Sequence, residues 1–216
     1  MAKAIVQTRE RLLQAALDLF QEKGYAACGM SELLARAQAN SGSFYYFFRS
    51  KEDLLVAVLQ RYEEILFPVL LEPLWKKTED PFERIFLLLA KYRELIVASN
   101  CTYGCPIGRL ALEIEPTYEE AHRKIAANFE GWAGAVEQCL MEAREQGKIA
   151  KQVQTRRLSR FVLTVMEGGV MQSRSYRSVE PFDLAVEELR QYFQMLAMPT
   201  GERKRIGNGS DPRRAK

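Results

Sequence analysis

Gln38-Ala39-Asn40-Ser41-Gly42-Ser43-Phe44-Tyr45-Tyr46-Phe47-Phe48-Arg49-Ser50-Lys51-Glu52-Asp53 is the stretch whose reading decides the fold. It holds a helix of seven to eight residues, a run of aromatics and the start of a second helix, which is a poor design for burial alone. With Phe44 and Phe48 as the buried i, i+4 pair, Gly42 and Tyr46 fall on the opposite face and Ser43 and Tyr45 on its flanks. The outward face is then small, hydroxylated and aromatic. A helix of about two turns is marginal alone, so packing through Phe44 and Phe48 must hold it. Ser50 with Asp53 reads as a capping box opening the next helix. Lys51 takes the first position of that helix, where the macrodipole disfavours a cation, and so suits a partner phosphate.

Two helices precede this stretch. Leu12, Leu13, Ala16, Leu17, Leu19 and Phe20 form an apolar stripe at helical spacing, which predicts a helix from near Thr8 to Lys23 with Gly24 in the left-handed position beyond it. Met30, Leu33, Leu34 and Ala37 repeat the pattern behind Gly29, a permitted but weaker N-cap. Only Gln38 to Ser41 separates that helix from the aromatic one, a helix-turn-helix braced by a longer first helix.

Gly42-Ser43-Phe44-Tyr45-Tyr46-Phe47-Phe48-Arg49-Ser50-Lys51-Glu52-Asp53-Leu54 resembles the end of the DNA-binding domain of TetR-family transcriptional regulators. The resemblance reaches back to Thr8 and, by helix layout, forward to about Leu196. It implies an all-α fold, with an N-terminal three-helix DNA-binding domain and a C-terminal helical bundle for ligand binding and dimerisation. It further implies that Ser41, Gly42, Ser43 and Tyr45 meet base edges, that Tyr46 and Lys51 hold phosphates, and that a homodimer forms through the last two helices. Two recognition helices about 34 Å apart would read a palindromic double-stranded operator. The sequence departs from the family pattern at three positions. Gln38 stands where glycine is common, so the turn must avoid positive φ or bear roughly 1 kcal/mol. Gly29 and Ser41 replace residues that frequently touch DNA, which leans the interface on Lys51, Tyr46 and nearby amides.

Composition agrees with a globular protein. The 216 residues are 47% hydrophobic, enough for a sizeable core. No apolar run reaches the roughly 18 residues of a membrane span, and no signal-peptide pattern opens the chain, so a cytoplasmic location without membrane contact is expected. The formal charge is +3, but residues 200–216 hold six basic and two acidic residues, so the body is close to neutral. DNA affinity must come from local placement of Lys51, Arg49 and helix ends. The boundaries read as 1–50 for DNA binding, 51–199 for regulation and dimerisation, and 200–216 for a disordered basic tail.

From Ser50 a connecting helix runs toward Pro68 and Pro73, which should kink and then end it. Asp80-Pro81-Phe82-Glu83 opens the next helix, Pro106 a short one through about Glu113, and Thr117 with Glu120 caps a long one that Gly147 ends. The last two span roughly Thr155 to Ser173 and Pro181 to Leu196. Gly168-Gly169 lies within the first of these and predicts close helix packing, within the chain or across a dimer.

Candidate chemistry is sparse. Glu119-Glu120-Ala121-His122 contains the Glu-x-x-His of di-iron bundles, but His122 is the chain's single histidine, too few for that site, a usual zinc site or a well-supported catalytic triad. No metal or cofactor is expected, and an all-α enzyme or a helical small-molecule-binding or interaction module is the alternative to a regulator. Cys28, Cys101, Cys105 and Cys139 read as reduced thiols. Cys105 precedes Pro106 at a helix start, where the dipole can depress a thiol pKa, although a buried, inert thiol is the commoner case for a free cysteine. The segment Gly104 to Glu113 resembles a stretch in a TetR subgroup with drug-responsive and electrophile-responsive repressors. The expected effector is thus a small apolar molecule or a thiol modifier, releasing a repressor from DNA. Candidate sensing residues are Tyr92, Cys101, Tyr103, Cys105, Arg109, Phe129, Trp132 and Phe161; the aromatics among them, with Phe86, line a ligand cavity or, the commoner outcome at helical spacing, form core. Arg109 and Glu113 supply polar groups or an i, i+4 pair.

Overall fold

The computed structural model describes residues 2–197, and these are all-α. The first three helices are α1 (Ala2–Lys23), α2 (Met30–Ala37) and α3 (Ser41–Phe47). Next come α4 (Lys51–Ile65), a π-helical segment (Leu66–Leu71) and α5 (Glu72–Trp75). The bundle follows with α6 (Pro81–Ala98), α7 (Pro106–Glu113), α8 (Glu119–Glu145), α9 (Thr155–Tyr176) and α10 (Glu180–Ala197). The basic segment 200–216, expected to be disordered, lies outside the described residues.

The N-terminal body closes around Leu12, Ala16, Leu19 and Phe20 of α1, Leu33 and Ala37 of α2, and Phe44 with Phe48, all buried. α1 begins six residues earlier than its apolar stripe suggested. Gly24 ends it at φ 90°, a conformation that only glycine adopts without strain. α2 starts behind Gly29, which makes no side-chain cap. The turn after α2 does take the costly form: Gln38 sits at φ 49°, ψ 49°, and the Gln38 and Ala39 N–H groups donate back to Ala35 and Leu34. α3 is capped by Asn40, whose Oδ1 accepts the Ser43 N–H at 2.8 Å.

Three local expectations need correction. Ser50 caps α4 by accepting the Asp53 N–H at 3.1 Å, but Asp53 does not return the bond; its carboxylate accepts from Arg49 N–H and Nε instead. Thr117 does not cap α8: Tyr118 takes the N-cap position with no side-chain bond, because the helix starts one residue later than the Thr117–Glu120 box requires. Pro68 does not simply kink the connecting helix. Its missing N–H and its ring clash are absorbed by the widened turns of Leu66–Leu71.

The C-terminal body is a bundle in which α9 packs against α8 and α10, and α6 against α8. Asp80 caps α6 by accepting Phe82 N–H at 2.8 Å and Glu83 N–H at 3.2 Å. α9 and α10 meet closely at Gly169, where an added Cβ would lie 3.0 Å from Phe182 Cδ2 and 3.3 Å from its Cα. The glycine pair therefore serves a contact within the chain at Gly169, while the space beyond Gly168 is open. α4 packs along α8 and against α1, so one helix touches both bodies. Buried Asn128 of α8 fastens it, donating from Nδ2 to the Leu59 carbonyl at 3.0 Å.

Candidate nucleic-acid interface and cavities

Phe44 and Phe48 pin α3 into the N-terminal core and leave the other face to solvent. Ser41, Gly42, Tyr45 and Tyr46 are exposed, with 61% of Tyr45 and 73% of Tyr46 accessible, and Ser43 is half-buried. Two phenol rings held this far into water by a two-turn helix gain nothing from burial, so the face is free for a partner. Lys51 is placed differently from its reading as a cation in need of an external anion. Its Nζ donates to the Tyr25 carbonyl at 2.6 Å and lies 4.3 Å from the centroid of the Tyr25 ring. Burial lowers its pKa, against the pull of Cys28 and Glu113. The ammonium thus already has an internal acceptor that offsets the unfavourable dipole.

A second set of contacts joins the two bodies through α7. Glu113 pairs with Arg109 at 2.7 Å, and Arg109 Nη1 donates to the Gln21 carbonyl near the end of α1 at 3.1 Å. The other Glu113 oxygen accepts from the Ala26 N–H at 3.4 Å, and an added Cβ at Gly24 would collide with this carboxylate. The i, i+4 pair is therefore also a latch onto the first helix of the N-terminal body.

Between α4, the π-helical segment, α6, α7 and α8 lies a cavity of about 420 Å³. Tyr92, Tyr103, Cys105 and Trp132 line it, with Leu66 and Leu70 of the π-helical segment and Asn128 as a polar group. Four of the candidate sensing residues are thereby brought together. Arg109 and Phe129 instead line an adjoining cavity of about 620 Å³, which shares the wall Gly104, Cys105 and Val170. Cys101 is buried near the loop and lines neither. Phe161 is 48% exposed and stacks edge-on with Tyr192 of α10, on the outer surface, because its position on α9 faces away from the bundle. Phe86 is core, packed on Phe193.

Of the two readings of Cys105, the buried thiol holds and the dipole-activated one does not. Cys105 is the N-cap residue of α7, yet burial raises its pKa well above the usual thiol range, and the neighbouring Glu167 carboxylate adds to the rise. Contacts from the Gly108 and Ile107 amides oppose this but do not overcome it. The Tyr92 hydroxyl lies 3.9 Å from Sγ. Residues not singled out from the sequence also matter here. Asn40, Asn128 and Glu167 fix α3, α4 and the cavity wall, and the available signal was an amide or acid at an otherwise apolar or helix-start position.

Among the described residues no group of His, Cys, Asp and Glu is close enough to hold a metal ion, and no helix is long and apolar enough to cross a membrane. His122 Nε2 lies 3.1 Å from the Glu115 carbonyl.

A helix-turn-helix on a cavity-bearing helical bundle is the plan of a ligand-responsive DNA-binding regulator. Residues 12–58 match the sequence model of bacterial regulatory proteins of the tetR family, and residues 81–188 that of the C-terminal domain of LmrA/YxaF-like transcriptional regulators. The chain is 30% identical over 182 residues to the HTH-type transcriptional regulator LmrA of Bacillus subtilis (strain 168), spanning 81% of this chain and 90% of that one. It is 27% identical over 175 residues to the HTH-type transcriptional repressor DhaR of Mycobacterium sp. (strain GP1), spanning 81% and 86%. The crystal structure of reduced E. coli NemR matches with a TM-score of 0.74 at 28% identity, over 85% of this chain and 96% of that one. The protein belongs to the TetR family of transcriptional regulators, whose members bind DNA and are typically dimers. It is a regulator and not an enzyme.

Proposed function

We propose that the protein is a homodimeric repressor that leaves a palindromic operator when a small apolar molecule enters the cavity between α4 and α8. The observation that carries this reading is the exposed Ser-Gly-Tyr-Tyr face of α3, rigidly backed by Phe44 and Phe48. In it residues 1–50 bind DNA and residues 51–199 regulate and dimerise. Ser41, Gly42, Ser43 and Tyr45 meet base edges, while Tyr46 and Lys51 hold phosphates, Lys51 by exchanging the Tyr25 carbonyl for a phosphate oxygen. Dimerisation runs through α9 and α10. Supporting this is a line of exposed apolar side chains along the two helices, Phe161, Leu184, Tyr192 and Met195.

An effector acts only through different affinities for the DNA-competent and incompetent arrangements. Tyr92, Tyr103 and Trp132 supply its apolar walls, and the cavity is closed on one side by the π-helical end of the connecting helix. Movement of that wall would travel along α4 to α3. A parallel route runs through α7, from Cys105 at one end to the Glu113 latch at the other. Thiol modification at Cys105, with Cys101 nearby in sequence, is the second trigger. It needs a reagent that enters the cavity, since the thiol is buried.

Selection of bound DNA from a random pool by the purified protein, at two salt concentrations, tests the reading. Recovery of an inverted repeat is expected. No enrichment at low salt would overturn operator binding by the unliganded protein. For the thiol trigger, an electrophile that releases the parent and the Cys105→Ser variant equally would remove Cys105 from the mechanism.

A further inference from the structure

Glu167 of α9 is remote from the outward face of α3 and lies behind the Cys105 wall of the aromatic cavity without lining that cavity. Its Oε1 is buried and has no hydrogen-bond partner. The side chain lies in the wall of the larger cavity, about 620 Å³, among Gly108, Phe129, Leu163 and Met171. A carboxylate withdrawn from water with an oxygen unmatched is costly, by several kcal/mol in general terms, so its retention in an apolar wall calls for a partner. The fold leaves deliberate room for it: a Cβ added at Gly108 of α7 would collide with Oε2. Burial pushes its pKa up, and contact with the Cys105 thiol is the opposing influence.

The arginines around this cavity do not provide the partner. Arg160 is engaged with Glu130, and Arg109 with Glu113 and the Gln21 carbonyl. Arg174 lies seven residues further along α9, about 10 Å along the helix axis. No cation lies near enough to the Glu167 carboxylate to lower its pKa.

We propose that this larger cavity binds a small amphiphilic cation, whose ammonium group pairs with the Glu167 carboxylate once a side-chain rotation turns the buried Oε1 toward the cavity, while its apolar part rests against Phe129, Leu163 and Met171. An ammonium supplies both the missing donor and the missing charge. At Glu167 itself a carboxylate or phosphate ligand would meet a like charge, whatever Arg174 offers farther along the cavity, and a neutral ligand would bring no charge to pair with the ionised form. This site is separated from the aromatic cavity by the Gly104, Cys105 and Val170 wall, and the inference depends neither on the operator nor on repression.

The test is calorimetric titration of the full chain without DNA, using 2-naphthylmethylamine, protonated at neutral pH, and the neutral 2-naphthylmethanol. The amine is expected to bind the parent at least about tenfold more tightly than the alcohol. Glu167→Gln should lose about ten- to a hundredfold of amine affinity and little of the alcohol's. Equal affinity of amine and alcohol for the parent, or no binding of the amine, overturns the proposal without recourse to a variant. So does an unchanged amine affinity in Glu167→Gln, provided its thermal unfolding shows a folded protein.

Discussion

Replacing Gln38 by glycine should stabilise the protein, and the size of the gain follows from the turn itself. Gln38 holds φ 49°, ψ 49°, the left-handed conformation that costs a residue bearing a Cβ about 1–2 kcal/mol. The backbone needs that conformation, because only then can the Gln38 N–H reach Ala35 at 3.1 Å and the Ala39 N–H reach Leu34 at 3.0 Å. The Gln38 side chain is exposed, so its removal sacrifices no packing. Glycine relieves the strain but enlarges the unfolded ensemble, which returns about 0.4–1 kcal/mol. The net gain is therefore about 0.5–1 kcal/mol, or a rise of roughly 1–4 °C in Tm for a chain of this length. Urea denaturation followed by circular dichroism measures it, with Gln38→Ala as control, since alanine keeps the Cβ and therefore the strain. If the glycine variant is no more stable than the alanine variant, the turn is not strained and the argument from φ is wrong.

Other expectations are shorter to state. Glu113→Gln removes the charge that Arg109 and the Ala26 N–H both face in a poorly exposed junction, and should cost about 1–3 kcal/mol in denaturation while loosening the first helix in hydrogen exchange. Lys51→Ala should weaken binding to all DNA sequences alike and lower the salt slope by about 1, whereas Ser43→Ala and Tyr45→Phe should shift sequence preference in a selection experiment; a uniform loss from Tyr45→Phe contradicts base reading. Burial works against ionised Asp80, but Lys148 and the Phe82 and Glu83 N–H groups outweigh it and hold its carboxyl below the usual range. A depressed folded pKa means that this stabilisation is present above the unfolded carboxylate value and vanishes as pH falls through the folded one. Asp80→Asn should accordingly flatten the loss of Tm measured below about pH 4. Cys105, with its pKa raised by burial, should react with iodoacetamide at neutral pH much more slowly than an unfolded thiol, and an equally fast rate by mass spectrometry would contradict its burial.

The outward face of α3 was legible because its constraints are local. An i, i+4 pair of phenylalanines fixes which way Tyr45 and Tyr46 point, whatever the rest of the chain does. Gly24, Asp80-Pro81 and Gly147 marked helix ends for the same reason. What could not be read depended on neighbours distant in sequence. The Tyr25 carbonyl that receives Lys51 lies 26 residues away, and no spacing rule announces it. Cys105 was placed correctly at a helix start, yet its thiol answers to apolar packing and Glu167 from α9 more strongly than to the helix it caps. Phe161 and Trp132 share the same kind of periodic stripe, and only the arrangement of helices sends one to the surface and the other to a cavity.

The π-helical segment around Pro68 has a mechanical consequence. An α-helix fixes the angular bearing of every residue at 100° per step, so a regular rod would bind the facing of its last turns to that of its first. Six residues wound more widely, Leu66–Leu71, break that bookkeeping within a continuous chain. Leu54, Leu55, Val58 and Leu59 can keep their buried bearing while Leu66, Val69 and Leu70 are aimed at the cavity independently. The connecting helix thus behaves as two shafts with a phase coupling between them. Any rewinding of that coupling toward α geometry would turn the cavity wall through a large angle relative to the shaft that supports the recognition helix.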